Sequence, residues 1–278
     1  MTEVSSASPE AFDIPCADGL FIRGEVYPAA SPLGSVVICH GFKGFAHWAF
    51  FPYLARSLAE SGLTAITFDF SGSGIGRDRE TFTEADAFGG NTFSKELEDI
   101  ENVVDYARRM KFIKGRFGLF GHSRGGAMAI LYAATPDAEA KSLVTWAAIG
   151  RTTWWTPEEA LIWRKRGYAE VTNSRTGQVM RMGTELLDDV EVHGSTKLNV
   201  AAAAAKIKVP WLIVHGTADE TVPSSDAERL HELSLGVSTL RLIEGANHGF
   251  VAKHPLSDVP PVLEKVVRET VKFFVRNM

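Results

Sequence analysis

Three polar residues that could carry out nucleophilic catalysis each follow an apolar run of the chain. Ser123 lies in GHSRGG, after RFGLFG and before the helix-forming GGAMAILYAA, which is the strand, turn and helix setting of a nucleophile elbow. Asp219 follows VPWLIVHG, and His248 follows STLRLIEG. Near neutral pH a serine hydroxyl needs a base beside it, and the base needs a carboxylate that fixes its tautomer. The three residues therefore predict a Ser-Asp-His triad for acyl transfer.

Each of these assignments has a competitor in the sequence. Ser123 could be an ordinary N-cap serine at the start of a helix. For the base, His215 is expected inside a strand end and His254 at the start of the last helix, so both are less well placed than a loop histidine. For the carboxylate, the adjacent Glu220 is the nearest competitor, and a substitution that separates the two acids would decide between them.

Acyl transfer also needs backbone N–H groups that meet the negative charge of the tetrahedral intermediate. One donor is expected to be the N–H of Arg124, which follows the nucleophile and opens a helix. The other is expected from the loop after the third strand, where His40-Gly41-Phe42 would let the chain approach the site, and we assign it to the N–H of Phe42. Gly41 could equally be an ordinary turn glycine.

The elements that must position these residues are indicated by an alternation of β-rich runs and helical patterns. Runs that are apolar on both faces belong to a parallel sheet covered by helices. Two strand-like pieces joined at Asp18-Gly19 indicate an antiparallel hairpin at the sheet edge. The sequence thus predicts an α/β fold with a mostly parallel eight-stranded sheet and helices on both faces. The six further runs are SVVICH at 35–40, LTAITFDF at 63–70, RFGLFG at 116–121, SLVTWAA at 142–148, VPWLIVHG at 209–216 and STLRLIEG at 238–245.

The alternation stops for about fifty residues and then resumes. We predict one domain, with a core formed by 1–150 and 206–278 and an inserted lid at 151–205. Within the lid we expect a helix at TPEEALIWRKRG, a hairpin over YAEVTNSRTGQVMRM with its turn at 173–177, and a helix near TELLDDV.

Composition excludes several classes of function. The chain has 278 residues and a net charge of -5, and its Lys and Arg residues are scattered, so we expect no nucleic-acid partner. The first ten residues lack a charged segment followed by an apolar one and no apolar run could span a bilayer, which predicts a cytoplasmic protein with no membrane partner. Cys16 and Cys39 are expected to be reduced. The eight histidines show no metal-ligand spacing, so neither a metal nor a cofactor is predicted.

The motifs CHGFKG, GHSRGG, HGTADETVP and ANHGF together resemble those of the α/β-hydrolase superfamily, along nearly the whole chain. The chain is most similar to small bacterial esterases of the cinnamoyl or feruloyl type and to serine-aminopeptidase-like hydrolases. The loop HGFKG at 40–44, the segment FDFSGSG at 68–74 and the short lid carry this closer resemblance. It implies the α/β-hydrolase fold, a cofactor-free carboxylic ester hydrolase, and a lid hairpin that forms part of the acyl pocket.

Lid side chains would then decide the substrate. Aromatic residues could line an acyl pocket, although each could equally pack the lid onto the body. Lys43 and Arg124, near the mouth, would favour an anionic or phenolic acyl group. The aromatic candidates are Trp154, Trp155, Trp163 and Tyr168.

The function predicted from the sequence is that of a serine carboxylesterase. It would hydrolyse small acyl or aryl esters, hydroxycinnamoyl esters among them, through an acyl-enzyme on Ser123. An amide, thioester or lactone hydrolase with the same triad is the first alternative. A ligand-binding receptor with slow turnover is the second, and a steady-state rate would distinguish it. A homo-oligomer formed through the N-terminal hairpin edge is also compatible with the sequence.

Overall fold

The computed structural model describes residues 8–173 and 176–278. The expectation for the first ten residues and the centre of the turn at 173–177 therefore fall partly outside the described residues. The strands in the described part of the chain are β1 (Glu10–Pro15), β2 (Phe21–Tyr27), β3 (Gly34–Cys39), β4 (Leu63–Asp69), β5 (Phe117–His122), β6 (Ala140–Trp146), β7 (Tyr168–Thr172), β8 (Val179–Gly183), β9 (Trp211–Gly216) and β10 (Ser238–Ile243).

Eight of these strands form one twisted layer in the order β1-β2-β4-β3-β5-β6-β9-β10. The pairs β1-β2 and β2-β4 are antiparallel, and every other neighbouring pair is parallel. The predicted eight-stranded, mostly parallel sheet with an antiparallel N-terminal edge is confirmed. Since the parallel strands end at the same edge, the loops after β3, β5, β9 and β10 converge there.

Helices cover both faces of the sheet because the strands are apolar on both sides. In β3, Val37 and Cys39 pack into one apolar cluster with helices α3 (Phe93–Arg109) and α4 (Arg124–Ala133). Val36 and Ile38, on the other face, pack into a second cluster with helices α1 (Phe51–Glu60) and α9 (Pro261–Asn277). The helices in the described residues are α1 (Phe51–Glu60), α2 (Ala85–Gly89), α3 (Phe93–Arg109), α4 (Arg124–Ala133), α5 (Pro157–Arg166), α6 (Glu185–His193), α7 (Val200–Ala204), α8 (Ser224–Leu233) and α9 (Pro261–Asn277).

The segment between β6 and β9 contains α5, the β7-β8 hairpin, α6 and α7. Helix α5 begins at a capping box, in which Thr156 accepts from the N–H of Glu159 and the Glu159 carboxylate accepts from the N–H of Thr156. It ends at Gly167, whose φ of 79° closes the helix in the left-handed region. The hairpin follows at once, with Tyr168 opposite Gly183.

Two local features differ from expectation. Helix α2 was not predicted, because it has only five residues and follows a glycine-rich segment. His254 was expected at the start of the last helix, but α9 begins at Pro261, because prolines at 260 and 261 set its first turn. Both Cys16 and Cys39 are free thiols. In the described part of the chain, none of the helices combines the length and the apolar character needed to cross a membrane.

Candidate active site

Ser123 lies at the sharp turn between β5 and α4. Its φ of 55° and ψ of -122° are outside the regions that a residue with a side chain normally adopts, so the backbone is strained at Ser123. The turn leaves Ser123 at the carboxyl edge of the central strand, with 9% of its surface exposed. This is the geometry of a nucleophile elbow.

The glycines on either side of Ser123 are required by close packing. A Cβ on Gly121 would lie 2.3 Å from the carbonyl oxygen of Gly125, and one on Gly125 would lie 2.2 Å from the carbonyl oxygen of His40. Any side chain at either position would therefore push the start of α4 away from β5 or β3. The Gly-x-Ser-x-Gly pattern thus follows from three backbone segments that meet within contact distance.

Asp219 and His248 are in direct contact at the same edge of the sheet. Nδ1 of His248 lies 2.7 Å from Oδ2 of Asp219, whose side chain is fully buried. Oδ1 of Asp219 accepts from the backbone N–H groups of Thr221 at 2.8 Å and Val222 at 2.9 Å. The competing acid, Glu220, is exposed to solvent.

A second histidine also contacts the buried carboxylate. Nε2 of His215, at the end of β9, lies 3.3 Å from Oδ2 of Asp219. Burial alone would raise the pKa of Asp219, but the hydrogen bonds from His215, His248 and Val222 outweigh it and hold the pKa well below its usual range. Asp219 is thus an anion throughout the range of ordinary pH, as a residue that stabilises an imidazolium must be.

The structure places His248 next to the elbow. Its ring centroid lies 4.7 Å from that of His122, and Nε2 of His122 donates to the carbonyl oxygen of His248 at 2.9 Å. Burial lowers the pKa of His122 to about 3, so its ring is neutral and Nε2 carries the proton. Within 8–173 and 176–278 no hydrogen bond joins Ser123 Oγ to His248, and such bonds are commonly loose before substrate binds.

The loop after β3 approaches the elbow closely. A Cβ on Gly41 would lie 2.9 Å from the Cβ of Ser123. The carbonyl oxygen of Gly41 accepts from Nδ1 of His40 at 2.8 Å and from the N–H of Gly44 at 3.0 Å. In a trans peptide the next N–H, that of Phe42, points opposite to this carbonyl. These two bonds therefore fix the direction of the Phe42 N–H.

His40 can fill this role because it is neutral. The N–H of Phe70 donates to Nε2 of His40 at 3.2 Å, which leaves the ring proton on Nδ1. Burial lowers the pKa of His40 to about 4. On the other side of the elbow, the N–H of Arg124 is the first in α4 and has no partner inside the helix.

A cavity of about 290 Å³ is lined in part by Phe42 and Arg124, the two residues expected to carry the oxyanion donors. Its wall is mostly apolar and comes from four separate segments, namely the loop after β3, the start of α4, the chain after β6 and the chain after Asp219. Trp154 closes one side of it, with its ring centroid 6.1 Å from that of Phe42 and 47% of its surface exposed. The apolar lining residues are Phe42, Ile149, Trp154, Val222 and Pro223, and the polar ones are Arg124, Arg151, Thr221 and Asp226.

The other aromatic candidates lie elsewhere. Trp155 packs edge-on against Trp154, and Trp163 is 4% exposed and donates from Nε1 to the carbonyl oxygen of Met182 at 3.0 Å. Tyr168 lies between the guanidinium groups of Arg166 and Arg181 and borders a different cavity of about 810 Å³. Of the four candidates, the structure brings only Trp154 to the wall beside the elbow.

Both basic residues expected at the mouth have partners. Nζ of Lys43 donates to the carbonyl oxygen of Thr172 at 3.0 Å, on the β7-β8 hairpin. Nε of Arg124 lies 2.9 Å from Oε2 of Glu96, and both side chains are buried. The counter-ion removes the basis for the expectation that Arg124 favours an anionic acyl group. The expectation for Lys43, and that of a phenolic acyl group, stay predictions.

The sequence did not indicate the structural roles of three histidines around this site. His40 bonds to the Gly41 carbonyl in the loop after β3, His122 to the His248 carbonyl, and His215 to the Val222 carbonyl beside Asp219. The signal available was their position, because each is at or just past the end of a buried strand. As for metals, residues 8–173 and 176–278 contain no group of three or more His, Cys, Asp or Glu side chains that could hold one.

Comparison with known proteins places this geometry in a family. A sequence profile described as the alpha/beta hydrolase family matches residues 36–259. Among curated proteins, the chain is 25% identical to the uncharacterized protein YqkD of Bacillus subtilis over 273 residues, which is 96% of this chain and 79% of YqkD. It is also 25% identical to the uncharacterized protein YfhR of Escherichia coli O157:H7 over 233 residues, 83% of this chain and 68% of YfhR.

Solved structures share the fold at lower identity. Est1E from Butyrivibrio proteoclasticus with ferulic acid bound has a TM-score of 0.70 at 22% identity, and the match covers 98% of this chain and 99% of Est1E. The monoacylglycerol lipase of Paleococcus ferrophilus has a TM-score of 0.67 at 19% identity, covering 93% and 99% of the two chains. With the profile match spanning most of its length, the chain belongs to the alpha/beta hydrolase family.

Proposed function

We propose that this protein is a serine carboxylesterase that hydrolyses small acyl or aryl esters. The observation that carries the proposal is the Asp219–His248 pair beside the strained Ser123, since acyl transfer requires a nucleophile, a base and an orienting carboxylate together. Membership of a hydrolase family supports the reaction class. The ferulic acid bound to the related Est1E fold supports the inclusion of aryl esters.

The proposed reaction has two steps. His248 takes the proton of Ser123 while the hydroxyl attacks the ester carbonyl, and the N–H groups of Phe42 and Arg124 donate to the oxyanion. Collapse of the tetrahedral intermediate breaks the ester C–O bond, and His248 gives its proton to the departing alcohol. Water activated by His248 then releases the acid from Ser123. Asp219 stays ionised and stabilises the imidazolium in both steps.

In this proposal the chain has a core, 1–150 and 206–278, and a lid at 151–205 that covers the site. Support comes from Trp154, which belongs to the inserted segment and packs against Phe42 of the core. In addition, Nζ of Lys43 in the core donates a hydrogen bond to the carbonyl oxygen of Thr172 in the hairpin. Trp155, Trp163 and Tyr168 are then structural parts of the lid, and Trp154 is its substrate contact.

The test is steady-state hydrolysis of phenyl acetate, phenyl butanoate and methyl ferulate by the wild type and Ser123→Ala. We expect multiple turnovers that need Ser123 and that survive chelation by EDTA. Serine-dependent cleavage of an anilide or thioester in preference to every ester would favour the alternative hydrolases. A single turnover with no further hydrolysis would favour the ligand-binding receptor. Activity that EDTA abolishes would contradict the proposed serine mechanism.

A further inference from the structure

The residue before Ser123 contacts the backbone of the proposed base. His122 is the last residue of β5 and is 5% exposed, and its Nε2 donates to the carbonyl oxygen of His248 at 2.9 Å. The two histidines are 126 positions apart in the chain. Because a carbonyl oxygen only accepts, Nε2 must carry the ring proton. The hydrogen bond therefore ties the loop after β10 directly to the strand that leads into the elbow.

The ring of His122 is held on the sheet by its surroundings. Its backbone pairs with that of Trp146 in β6, and the N–H of Ser123 donates to the carbonyl oxygen of Trp146 at 2.9 Å. The ring stacks on Trp48, with centroids 6.4 Å apart, and meets the ring of Phe50 edge-on at 5.2 Å. A side chain packed among aromatic rings has few alternative orientations. The position of Nε2 is therefore fixed by the same sheet that fixes Ser123.

The opposite edge of the His122 ring faces the loop after β3. A Cβ on Gly41 would lie 3.4 Å from Nδ1 of His122, which is an ordinary van der Waals contact. The ring thus fills the space between Gly41 and the carbonyl group of His248. Since Phe42, the expected oxyanion donor, follows Gly41, this one ring sets the separation between the oxyanion loop and the loop of the base.

The loop that carries His248 needs to be held because its backbone is strained. Phe250 and Val251 have φ angles of 54° and 67°, in the left-handed region that side chains disfavour, most of all the β-branched one of Val251. The N–H of Val251 donates to Oδ1 of Asn247 at 2.8 Å. A strained segment persists only where surrounding contacts determine its conformation. The hydrogen bond from His122 is one of these contacts, and it acts on the backbone of the base itself.

The contact suits the proposed reaction because His122 is neutral. Burial, aided by the nearby His248 ring, lowers the pKa of His122 to about 3. The two ring centroids are 4.7 Å apart, so a second cation there would oppose the imidazolium that forms on His248 during acyl transfer. A neutral donor holds the loop without that repulsion.

We propose that His122 is a positioning residue for ester hydrolysis, which holds the carbonyl group of His248 so that the base stays in reach of Ser123. The inference rests on the proposed function, because it assigns the base to His248. Asp219 then orients the ring of the base from one side, and His122 fixes its backbone from the other. His122 exchanges no proton in the reaction.

The test compares His122→Gln with His122→Met. Nε2 of glutamine is as many bonds from the backbone as Nε2 of histidine, whereas methionine has the same length and no donor. Steady-state hydrolysis of phenyl acetate gives kcat and KM for both. We expect the Met variant to lose about 10- to 100-fold in kcat, as for a small misplacement of a catalytic group, and the Gln variant to stay within about threefold of the wild type. KM should change little, because the base serves both steps of the reaction.

Two further variants serve as controls. His122→Asn keeps an amide that is one bond too short to reach the carbonyl group, so we expect it to lose kcat as the Met variant does. His231→Met makes the same substitution at a partly buried histidine in α8, where Nδ1 lies 2.7 Å from Oγ of Ser238, and it should keep the wild-type kcat. Urea unfolding identifies any variant that does not fold. If the Met variant is unfolded, the comparison of Asn with Gln decides in the same way.

A double-mutant cycle separates positioning of the base from support of the elbow. His248→Ala removes the imidazole and keeps the backbone carbonyl group, and hydrolysis by such an enzyme rests on the oxyanion donors and on binding. If His122 acts through the base, adding His122→Met to this variant should change the residual rate by less than about twofold.

Several outcomes overturn the inference. Equal kcat for the wild type and the Gln, Met and Asn variants, with turnover that still depends on Ser123, contradicts the positioning role and leaves the proposed function intact. The same fold loss from His122→Met with and without the imidazole of His248 would show that the ring supports the elbow instead. Absence of any Ser123-dependent turnover in the wild type overturns the proposed function, and the inference with it.

Discussion

Asp219 shows how the fold prepares a single residue for one task. The carboxylate is fully buried, which alone would favour its neutral form, yet two histidine rings and two backbone N–H groups surround it. The ionised state therefore depends on directed hydrogen bonds. Removal of the negative charge should leave the shape of the site unchanged, but the tautomer of His248 would no longer be controlled.

Replacement of Asp219 by Asn is accordingly expected to lower kcat on the order of ten-thousandfold, because the amide would select the wrong imidazole tautomer. KM should change little, since the residue does not touch the substrate. Glu220→Gln is the matched control, because that side chain is adjacent and exposed, and it should keep the wild-type rate. Loss of activity in the Gln variant, with the Asn variant intact, would move the role to Glu220.

For single residues, the sequence predicts which side chains come into contact, but not the hydrogen bonds that hold them in position. Asp219 and His248 could be chosen because each follows an apolar run, and the carboxyl ends of parallel strands share one edge. The hydrogen bonds of His122 and His215 involve carbonyl groups whose positions depend on backbone geometry, so no spacing rule indicates them. For the same reason the pairing of Arg124 with Glu96, 28 residues away along the chain, could not be foreseen.

The shape of the turn around Ser123 depends on two glycines, Gly121 and Gly125, because neither position has room for a side chain. The start of α4 passes so close to β3 that the Cα of Gly125 has no room for a methyl group. Overpacking of this kind forces the backbone to move, and here the backbone that moves carries Ser123, the proposed nucleophile.

Gly125→Ala is therefore expected to destabilise the protein by about 1–3 kcal/mol and to lower activity more than tenfold. The matched control is Gly90→Ala, because a Cβ there would lie 3.6 Å from its nearest neighbour, an ordinary contact. Denaturant unfolding and ester hydrolysis, measured on both variants, check this. Equal stability of the two variants would show that the elbow tolerates a shift of α4.

Most elements could be predicted because their patterns are long. The apolar runs and the amphipathic stretches extend over six residues or more, and they lie where the periodicity indicates. Helix α2 has five residues and buries only Ala87 and Phe88, so it gives no periodic signal. The segment between β6 and β9 is a different case. The alternation of side chains along a strand shows which hairpin residues share a face, but it does not show which part of the protein that face contacts. Tyr168 lies between two arginines, which no pattern indicated.

For the molecule as a whole, one titratable side chain, His47, connects the loop after β3 to distant parts of the chain. His47 contacts Glu25 of β2 at 3.1 Å and Glu80 at 3.0 Å. The hydrogen bond with Glu25, acting against burial, raises the pKa of His47 from 6.5 to about 8. A histidine whose pKa is raised by folding stabilises the protein fully below its unfolded pKa, and this contribution is lost as pH rises through the folded value.

We therefore expect the difference in free energy of unfolding between the wild type and His47→Gln to depend on pH. The wild-type advantage should be largest below about pH 6.5 and should shrink by roughly 1–2 kcal/mol by the time pH passes the folded pKa of about 8. Urea unfolding of both proteins across this range measures it. A difference that stays constant with pH, or that grows as pH rises, would show that the two glutamates do not raise the pKa of His47.

Covalent labelling measures whether Ser123 is a nucleophile activated by the Asp219–His248 pair, as we propose. The protein is incubated with a fluorophosphonate, ester hydrolysis is followed, and the modified residue is located by peptide mass spectrometry. We expect one adduct per chain, on Ser123, formed in step with the loss of hydrolysis and absent from Ser123→Ala. Hydrolysis that persists without an adduct on Ser123, or an adduct on another residue that accompanies inactivation, would contradict it.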